Sequence, residues 1–329
     1  MPKVSFLIPA SPTRGFFSQI AAFNTALDRL TWSHWQPSIL VCMGGQLDTS
    51  AYEQWQPYLR DVTIIFAPRS DSEKILFYYA QIDGLFRWAP LDADVLVRMD
   101  ADTLPVGDLE DVLDHVVETT SIAGVMAHFG FPARPGMFAS HQTWRQVADG
   151  LISGRLDFRY SYSLMEANAP EDVRTAPFYL NDGAVFFPRS LFRKFAERYL
   201  NLRPRLMERL ADPYYSGQIA LSLAVAEMRA RTCALPMRYN FPNDVLATRK
   251  FPEELESVKI FHYLRTDQFD RQLIFTDGSH YQSFLNAPLT GVNKVFQENV
   301  RRIIGPEFPF SAHKEIRFRS TRLETPAVK

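Results

Sequence analysis

Two aspartates separated by one alanine follow an apolar stretch in the segment VLVRMDADTLP, from Val95 to Pro105. Residues i and i+2 of an extended segment point to the same side, so the carboxylates of Asp100 and Asp102 can converge on one hard cation, while Ala101 stays small and points away. Two free carboxylates that lie close repel each other, and a metal ion neutralises them. A purely structural alternative is that Asp102 starts a turn and Asp100 caps the following helix.

A histidine at the end of a later apolar stretch offers a third ligand. In VKIFHYLR, from Val258 to Arg265, His262 can point an imidazole nitrogen into the same crevice as the aspartates. One nitrogen with carboxylate oxygens suits Mn²⁺ better than an all-oxygen calcium site would. The other histidines show neither this placement nor a His-x-x-x-His pairing: His34, His115, His128, His141, His280 and His313.

The elements that must position these residues alternate between strands and helices, which predicts an α/β fold with a mainly parallel sheet and helices on both faces. In such an open sheet the ligand crevice lies outside the C-terminal ends of the strands, where Asp100 and Asp102 fall. Predicted strands cover 4–10, 37–45, 61–68, 95–99, 121–129, the first part of 178–200, and 258–264. Predicted helices cover 17–30, 71–89, 106–118, the second part of 178–200, 216–230 and 288–305.

Composition and charge describe an ordinary globular protein. The chain has 329 residues, of which 46% are hydrophobic, enough to bury one large core or two fused lobes. A net charge of −1 gives no global electrostatic footprint, which argues against nucleic-acid binding and nonspecific adsorption to anionic membranes. Cys42 and Cys233 are far apart and form no CxxC motif, so neither a disulfide framework nor a structural zinc site is predicted.

The N-terminal sequence MPKVSFLIPASPTRG enters a predicted strand almost at once and lacks the features of a secretory signal. No stretch approaches the ~18 apolar residues of a membrane span, because charged residues interrupt every candidate. We therefore expect a cytoplasmic protein without an integral membrane segment, and the sequence leaves peripheral membrane contact open.

The order of four motifs resembles the GT-A fold family of nucleotide-sugar-dependent glycosyltransferases, especially glycogenin-like and bacterial lipooligosaccharide galactosyltransferase-like members. The motifs are the Asp-x-Asp, the Asn-Asp-Gly of YLNDGAVFFPRSLFRKF, the glutamine helix of YYSGQIALSLAVAEM and the strand ending at His262, and they span residues 4–265. The resemblance implies a Rossmann-related GT-A-like sheet in which Asp100, Asp102 and His262 hold Mn²⁺ or Mg²⁺ against the donor diphosphate. It also implies that Asn181 and Gly183 touch the donor sugar.

Two departures from the family pattern fall in this site. Gly217 precedes Gln218 where the family has an aspartate, and Asp182 is the candidate to supply the missing carboxylate. The family's phosphate-gripping lysine after the histidine is also absent, and Arg265 is the nearest cation that could replace it.

The exit of the first predicted strand, IPASPTRG, should lie beside the crevice. The backbone of Pro9 and Ala10 and the hydroxyl of Ser11 could bond a nucleobase there, and Arg14 could meet phosphate. Lys74 is a further candidate for the donor phosphate or a carboxylate, and Arg98 is another unless it pairs with an acid near the strand end.

The resemblance divides the chain into three regions. Residues 1–130 form a nucleotide-binding half with the Asp-x-Asp, residues 131–265 an insertion plus the donor-sugar and acceptor half of the same domain, and residues 266–329 a C-terminal helical extension and tail. The stretch 131–177 has weak periodicity and many Arg, Tyr, Ser, Gly and Pro residues, so we expect loops or short helices that hold specificity there.

The sequence thus predicts a metal-dependent glycosyltransferase that moves a sugar from a nucleotide-sugar donor, with UDP-sugar favoured, to a glycan, glycolipid or other hydroxyl acceptor. Asp182 is the predicted catalytic residue, either as a carboxylate facing the anomeric centre or as the base that takes the acceptor proton. One alternative is a sugar-phosphate nucleotidyltransferase, which should carry an early Gly-rich loop with Arg or Lys that PASPTRGF matches poorly. The other is a non-catalytic carbohydrate-binding protein, which needs no metal-dependent nucleotide affinity.

Overall fold

The computed structural model describes residues 1–45, 47–59, 61–67, 75–134, 136–311 and 323–324. The strands are β1 (Lys3–Ala10), β2 (Gln36–Met43), β3 (Val62–Phe66), β4 (Val95–Met99), β5 (Thr103–Pro105), β6 (Ser121–Met126), β7 (Pro132–Arg134), β8 (Met137–Phe138), β9 (Tyr160–Ser161), β10 (Thr175–Ala176), β11 (Leu180–Pro188), β12 (Arg231–Ala234), β13 (Phe241–Pro242), β14 (Ile260–His262) and β15 (Leu323–Glu324). The helices are α1 (Arg14–Arg29), α2 (Thr49–Trp55), α3 (Ile75–Trp88), α4 (Glu110–Thr119), α5 (His141–Ala148), α6 (Glu171–Arg174), α7 (Arg189–Met207), α8 (Ser216–Met228), α9 (Val245–Lys250), α10 (Pro252–Leu255), α11 (Gly278–Asn286) and α12 (Gly291–Ile303).

The central sheet has eight strands in the order β12-β6-β11-β4-β1-β2-β3-β15. All neighbouring pairs in it are parallel except that β11 runs antiparallel to both β4 and β6. The predicted α/β class with a mainly parallel sheet is therefore confirmed, with one reversed strand at its centre. Because of the reversal, the beginning of β11 lies at the same edge of the sheet as the end of β4.

Apolar residues on alternate positions of the strands build a core on each face of the sheet. In β1, Phe6 and Ile8 belong to one buried cluster and Leu7 to the other, as the two-residue period of a strand requires. In β4 the second face begins with Leu96 and continues with Arg98, which is 2% exposed. The strand thus carries a buried arginine, Arg98, two residues before Asp100 on the same face of the sheet.

A second, three-stranded sheet was not predicted from the sequence. Its order is β13-β14-β5, with β14 antiparallel to β5 and parallel to β13. β14 lies inside the strand predicted over 258–264, but β5 and β13 have only three and two residues, too few to show a readable period. This small sheet attaches the late segment around His262 to the chain that directly follows Asp102.

The C-terminal helices pack back onto the first part of the chain. Arg29, at the end of α1, donates through Nη1 to the carbonyls of Ile303 and Ile304, both at 2.6 Å. The ring of Phe296 on α12 stacks on Tyr263, directly after β14, with 4.8 Å between ring centroids. The C-terminal helices therefore pack against the small sheet through Phe296 and Tyr263.

Within the described part of the chain, no helix is both long enough and apolar enough to cross a bilayer. The first four residues of the helix predicted over 71–89 lie outside the described residues, and α3 covers most of the remainder.

A buried ion pair joins α3 to α7 and should matter for stability. Arg203 Nε donates to Asp83 Oδ1 at 2.7 Å, and the two side chains are only 7% and 12% exposed. Asp83→Ala would leave an uncompensated buried charge, so we expect the free energy of unfolding to fall by about 3–5 kcal/mol in chemical denaturation. Glu197→Ala, which removes an exposed pair with Arg193, should cost less than about 1 kcal/mol. Equal losses in the two variants would contradict this expectation.

Candidate metal and donor site

The two aspartates lie in a tight turn between the central sheet and the small sheet. Asp100 directly follows β4, and Asp102 directly precedes β5. The turn is held by the backbone N–H of Asp100, which donates to the carbonyl of Gly183 at 3.1 Å, and by the hydroxyl of Thr103, which donates to the carbonyl of Asp100 at 2.6 Å. Asp100 does not cap a helix, since α4 begins ten residues later at Glu110.

His262 reaches the aspartates through the antiparallel pairing of β14 with β5. The register places His262 opposite Thr103, and the N–H of Tyr263 donates to the carbonyl of Asp102 at 3.0 Å. As a result, His262 Nε2 lies 3.6 Å from Asp100 Oδ2 and 3.5 Å from Asp102 Oδ1. Each of the three residues offers one ligand atom, and these atoms all lie within 4.8 Å of one another.

An arginine holds the second oxygen of each aspartate. Arg98 Nη2 lies 3.0 Å from Asp100 Oδ1. Arg271 pairs with Asp102 Oδ2 and also donates to the carbonyl of Leu264 at 2.9 Å. Each carboxylate therefore turns one oxygen to a guanidinium and the other toward His262.

The opposite edge of the imidazole is packed against β11. His262 Nδ1 is buried and has no hydrogen-bond partner among the described residues. A Cβ added at Gly183 would lie 2.4 Å from this nitrogen and 2.4 Å from Asn240 Oδ1. Glycine at position 183 is thus required by the close approach of the imidazole to β11, and this packing directs Nε2 toward the aspartates.

The ionisation of these groups follows from burial and from their neighbours. Burial raises the pKa of Asp100, although the charge of Arg98 opposes it. Burial also acts to raise the pKa of Asp102, but His262 and Arg271 outweigh it and hold that pKa below its usual value. For His262 burial acts to lower the pKa, and the two aspartates outweigh it, so the pKa is raised. The three groups therefore interact strongly in a small volume.

These residues fit a divalent cation. Two ligand atoms about 2.1 Å from one ion, at angles near those of octahedral or tetrahedral sites, are roughly 3.0–3.5 Å apart, close to the spacing between His262 Nε2 and the carboxylate oxygens. Two carboxylates with one imidazole form the mixed oxygen and nitrogen set that suits Mn²⁺ and also admits Mg²⁺.

A cavity of about 400 Å³ opens beside the three residues. The residues that line it are Pro9, Phe16, Tyr79, Asp100, Ala101, Asp102, Asn181, Asp182, Tyr214, Gln218, His262, Leu264, Arg271 and Gln272. Burial raises the pKa of Asp182 to about 6, with Arg98 opposing the shift. Its Oδ1 is buried without a hydrogen-bond partner among the described residues, and its Oδ2 lies 3.9 Å from Arg98 Nη2. Asp182 therefore lines the same cavity as the metal ligands, and Arg98 Nη2 is close to the carboxylates of both Asp182 and Asp100.

The amides near Asp182 are held by hydrogen bonds. Gln218 Nε2 donates to the carbonyl of Leu180 at 3.0 Å, and its Oε1 accepts from the hydroxyl of Tyr179 at 3.0 Å. Asn181 Oδ1 accepts from the N–H of Gly183 at 3.0 Å, and its Nδ2 lies 3.3 Å from His128 Nε2. These bonds fix the orientation of both amide groups on the cavity wall.

The structure separates the remaining predicted site residues into two groups. Pro9 and Ala101 line the cavity together with the aspartates, His262 and Asn181. Five others do not line it: Ala10, Ser11, Arg14, Gly183 and Arg265. Lys74 lies outside the described residues.

Local contacts explain why these residues do not line the cavity. Ser11 Oγ accepts from Gln81 Nε2 at 3.4 Å, and Arg14 donates to the carbonyl of Thr276 at 3.1 Å. Gly183 lies behind the imidazole of His262, as described above. Arg265 donates through Nη2 to Asp244 Oδ2 at 2.8 Å. Ala10, at the end of β1, is 1% exposed.

Sequence reasoning missed Arg271, Tyr79 and Tyr214 on the cavity wall. Arg271 belongs to an irregular segment between β14 and α11, where no periodicity indicates which way a side chain points. Tyr79 lies on α3 and explains the glycine before Gln218, because a Cβ at Gly217 would lie 2.7 Å from Tyr79 Cε1. The ring thus occupies the space that a side chain at position 217 would need.

The close packing at Gly183 gives a direct test of how His262 is positioned. Gly183→Ala should push the imidazole away from the aspartates and weaken Mn²⁺ binding about 10- to 100-fold, as loss of ligand orientation does elsewhere. Titration of the protein with Mn²⁺, following the free ion by electron paramagnetic resonance, measures the effect. Gly278→Ala is the control, since its Cβ would meet atoms no nearer than 3.7 Å. Unchanged Mn²⁺ affinity in Gly183→Ala would show that the imidazole does not bind the ion.

Solved structures similar to this chain are glycosyltransferases. The apo structure of the bifunctional glycosyltransferase WbbM has a TM-score of 0.54 at 15% identity, covering 90% of this chain, which spans about half of WbbM (51%). The galactosyltransferase LgtC, in complex with donor and acceptor sugar analogues, has a TM-score of 0.53 at 14% identity, covering 91% of this chain and 96% of LgtC. No protein-family model matches the sequence, and no curated protein matches it. The resemblance predicted from the motifs is confirmed at the level of the fold, and the chain has a GT-A-like fold.

Proposed function

We propose that this protein is a metal-dependent glycosyltransferase that moves a sugar from a nucleotide-sugar donor, with UDP-sugar favoured, to a hydroxyl of a glycan or glycolipid acceptor. The observation that carries the proposal is the convergence of Asp100, Asp102 and His262 on one point, beside a cavity of about 400 Å³ that Asp182 also lines. The GT-A-like fold shared with WbbM and LgtC supports it.

The metal ligands in this proposal are Asp100, Asp102 and His262, which would hold Mn²⁺ or Mg²⁺. When bound, the ion supplies Lewis-acid stabilisation of the charge that develops on the leaving nucleoside diphosphate. Arg271, which pairs with Asp102, lines the same cavity and could meet that diphosphate. We therefore assign to Arg271 the phosphate contact that the sequence suggested for Arg265, because Arg265 is paired with Asp244.

The sugar end of the donor belongs beside Asp182, Asn181 and Gln218. The two amides are oriented by hydrogen bonds within the protein, so the cavity wall is preorganised before a ligand enters. Burial lowers the pKa of His128 to about 4, so at neutral pH its ring is uncharged and can accept a hydrogen bond from Asn181. A sugar with several hydroxyl groups suits such a polar wall.

Asp182 is the proposed catalytic residue. Its carboxylate either faces the anomeric centre of an oxocarbenium-like transition state or takes the proton of the acceptor hydroxyl. Both roles need the ionised form, and a pKa of about 6 leaves Asp182 mostly ionised at neutral pH.

Cys42 and Cys233 are free thiols, which supports the cytoplasmic location that we also propose.

Thermal unfolding with nucleotides tests the donor class. UDP, GDP and CDP would each be added with Mn²⁺ or with EDTA, and we expect UDP with Mn²⁺ to raise the unfolding midpoint, since a ligand at ~100 times its Kd adds about 2.7 kcal/mol. Asp102→Asn should abolish the shift because it removes a metal ligand. Asp92→Asn is the control, since this exposed aspartate pairs with Lys3 before β4.

The outcomes separate the proposal from its two alternatives. A folded protein whose midpoint moves with no nucleotide would sink the transferase proposal and favour a non-catalytic protein. Release of pyrophosphate from a nucleoside triphosphate and a sugar phosphate would instead show a nucleotidyltransferase.

The raised pKa of Asp182 predicts a dependence on pH. Donor turnover should rise as the pH rises through about 6, because the carboxylate must be ionised. Stability should change in the opposite direction. A carboxyl group whose pKa is raised in the folded state contributes stability at low pH that is lost as the pH rises through about 6.

Asp182→Asn tests both trends, because the amide does not titrate. We expect it to reduce turnover strongly and to remove that fall in the free energy of unfolding, both measured across this pH range. A pH profile of stability identical to that of the wild type would contradict the raised pKa of Asp182, and unchanged turnover would contradict its catalytic role.

A further inference from the structure

The proposed metal site already contains its own balancing charges. Asp100 and Asp102 are paired with Arg98 and Arg271, so the two carboxylates and the two guanidiniums cancel. Asp182, beside Arg98, is the remaining negative group on the cavity wall. A divalent cation entering this site alone would meet two ligand charges that are each neutralised by an arginine.

We propose that Arg271 makes cation binding conditional on the donor diphosphate, an inference that rests on the proposed function. Arg271 pairs with a proposed metal ligand, Asp102, so its positive charge would lie close to the bound ion and repel it. Water screens this repulsion less inside the cavity than it would in bulk solvent. Metal affinity in carboxylate sites also follows the charge count of the ligands. The cation on its own is therefore bound weakly.

A diphosphate reverses this balance. Its negative charges attract both the cation and the guanidinium, and Arg271 lines the same cavity as the metal ligands. The cation and the diphosphate then stabilise each other, and the coupling must be reciprocal. Each ligand should raise the affinity of the site for the other by the same factor.

Arg271 is better suited to this role than Arg98. The side chain of Arg98 is 2% exposed within β4, whereas that of Arg271 is 32% exposed and belongs to an irregular segment. Arg271 can therefore change its contacts when a ligand enters, while Arg98 stays with Asp100. Arg98 orients a metal ligand, and Arg271 links that ligand to the donor.

The test compares Mn²⁺ binding by the wild type and Arg271→Gln, following free Mn²⁺ by electron paramagnetic resonance, without and with UDP or inorganic pyrophosphate. We expect Arg271→Gln to bind Mn²⁺ alone about tenfold more tightly than the wild type does. We also expect UDP and pyrophosphate to raise its Mn²⁺ affinity about tenfold less than they raise that of the wild type. Arg271→Lys keeps the charge and should resemble the wild type.

A matched control removes the same charge from another arginine and aspartate pair. Arg189 lies 3.9 Å from Asp94 at the opposite edge of the sheet, so Arg189→Gln should bind Mn²⁺ as the wild type does. Arg271→Gln leaves Asp102 without its guanidinium and is expected to unfold at a lower temperature in EDTA. Mn²⁺ alone should then raise its unfolding midpoint more than it raises that of the wild type.

The outcomes distinguish this inference from the proposed function. If UDP strengthens Mn²⁺ binding equally in the wild type and Arg271→Gln, the donor class stands and the role of Arg271 is overturned. Weaker binding of Mn²⁺ alone by Arg271→Gln would also overturn it, because Arg271 would then only orient Asp102. If neither UDP nor pyrophosphate affects Mn²⁺ binding by the wild type, the proposed donor class and the inference fail together.

Discussion

The candidate site depends on the short ladder between β5 and β14. Residues far apart in sequence meet because His262 lies opposite Thr103 and because Tyr263 donates to the carbonyl of Asp102. The ladder has only three residue pairs, too few to be stable on its own. Its stability comes from packing, since Phe296 on α12 stacks on Tyr263 and α12 is in turn tied to the first helix. The C-terminal extension is therefore part of the architecture of the site.

Charge compensation is the second condition for this arrangement. Six ionisable side chains lie close together at this end of the sheet, namely Arg98, Asp100, Asp102, Asp182, His262 and Arg271, and burial opposes the charged forms of several of them. Arg98 extends from the core side of β4 and opposes that effect for Asp100 and Asp182. The buried arginine thus costs desolvation energy but favours the ionised forms of the two carboxyl groups beside it. The same strand supplies both the acid and its counter-ion.

The sequence predicted the structure best where apolar residues recur with the regular spacing of a strand or a helix. The apolar run before Asp100 and the alternation of strands with helices predicted the sheet and the edge at which the aspartates lie. It failed where very short or irregular segments decide the geometry. The strand predicted over 258–264 contains β14, but the sequence did not indicate that β14 pairs with β5, and it did not single out Arg271 in the irregular segment that follows. Distance along the chain does not predict direction in space when no regular element intervenes.

The reversed strand β11 determines where residues 127–179 leave the sheet and where they return to it. Met126 at the end of β6 pairs with Leu180 at the start of β11, so the segment between them leaves the sheet and re-enters it at one edge. Residues can be added to or removed from such an excursion without changing the register of the strands that carry Asp100 and Asp182. The residues closest to the sheet are less free to change, because His128 Nε2 lies 3.3 Å from Asn181 Nδ2 on the cavity wall.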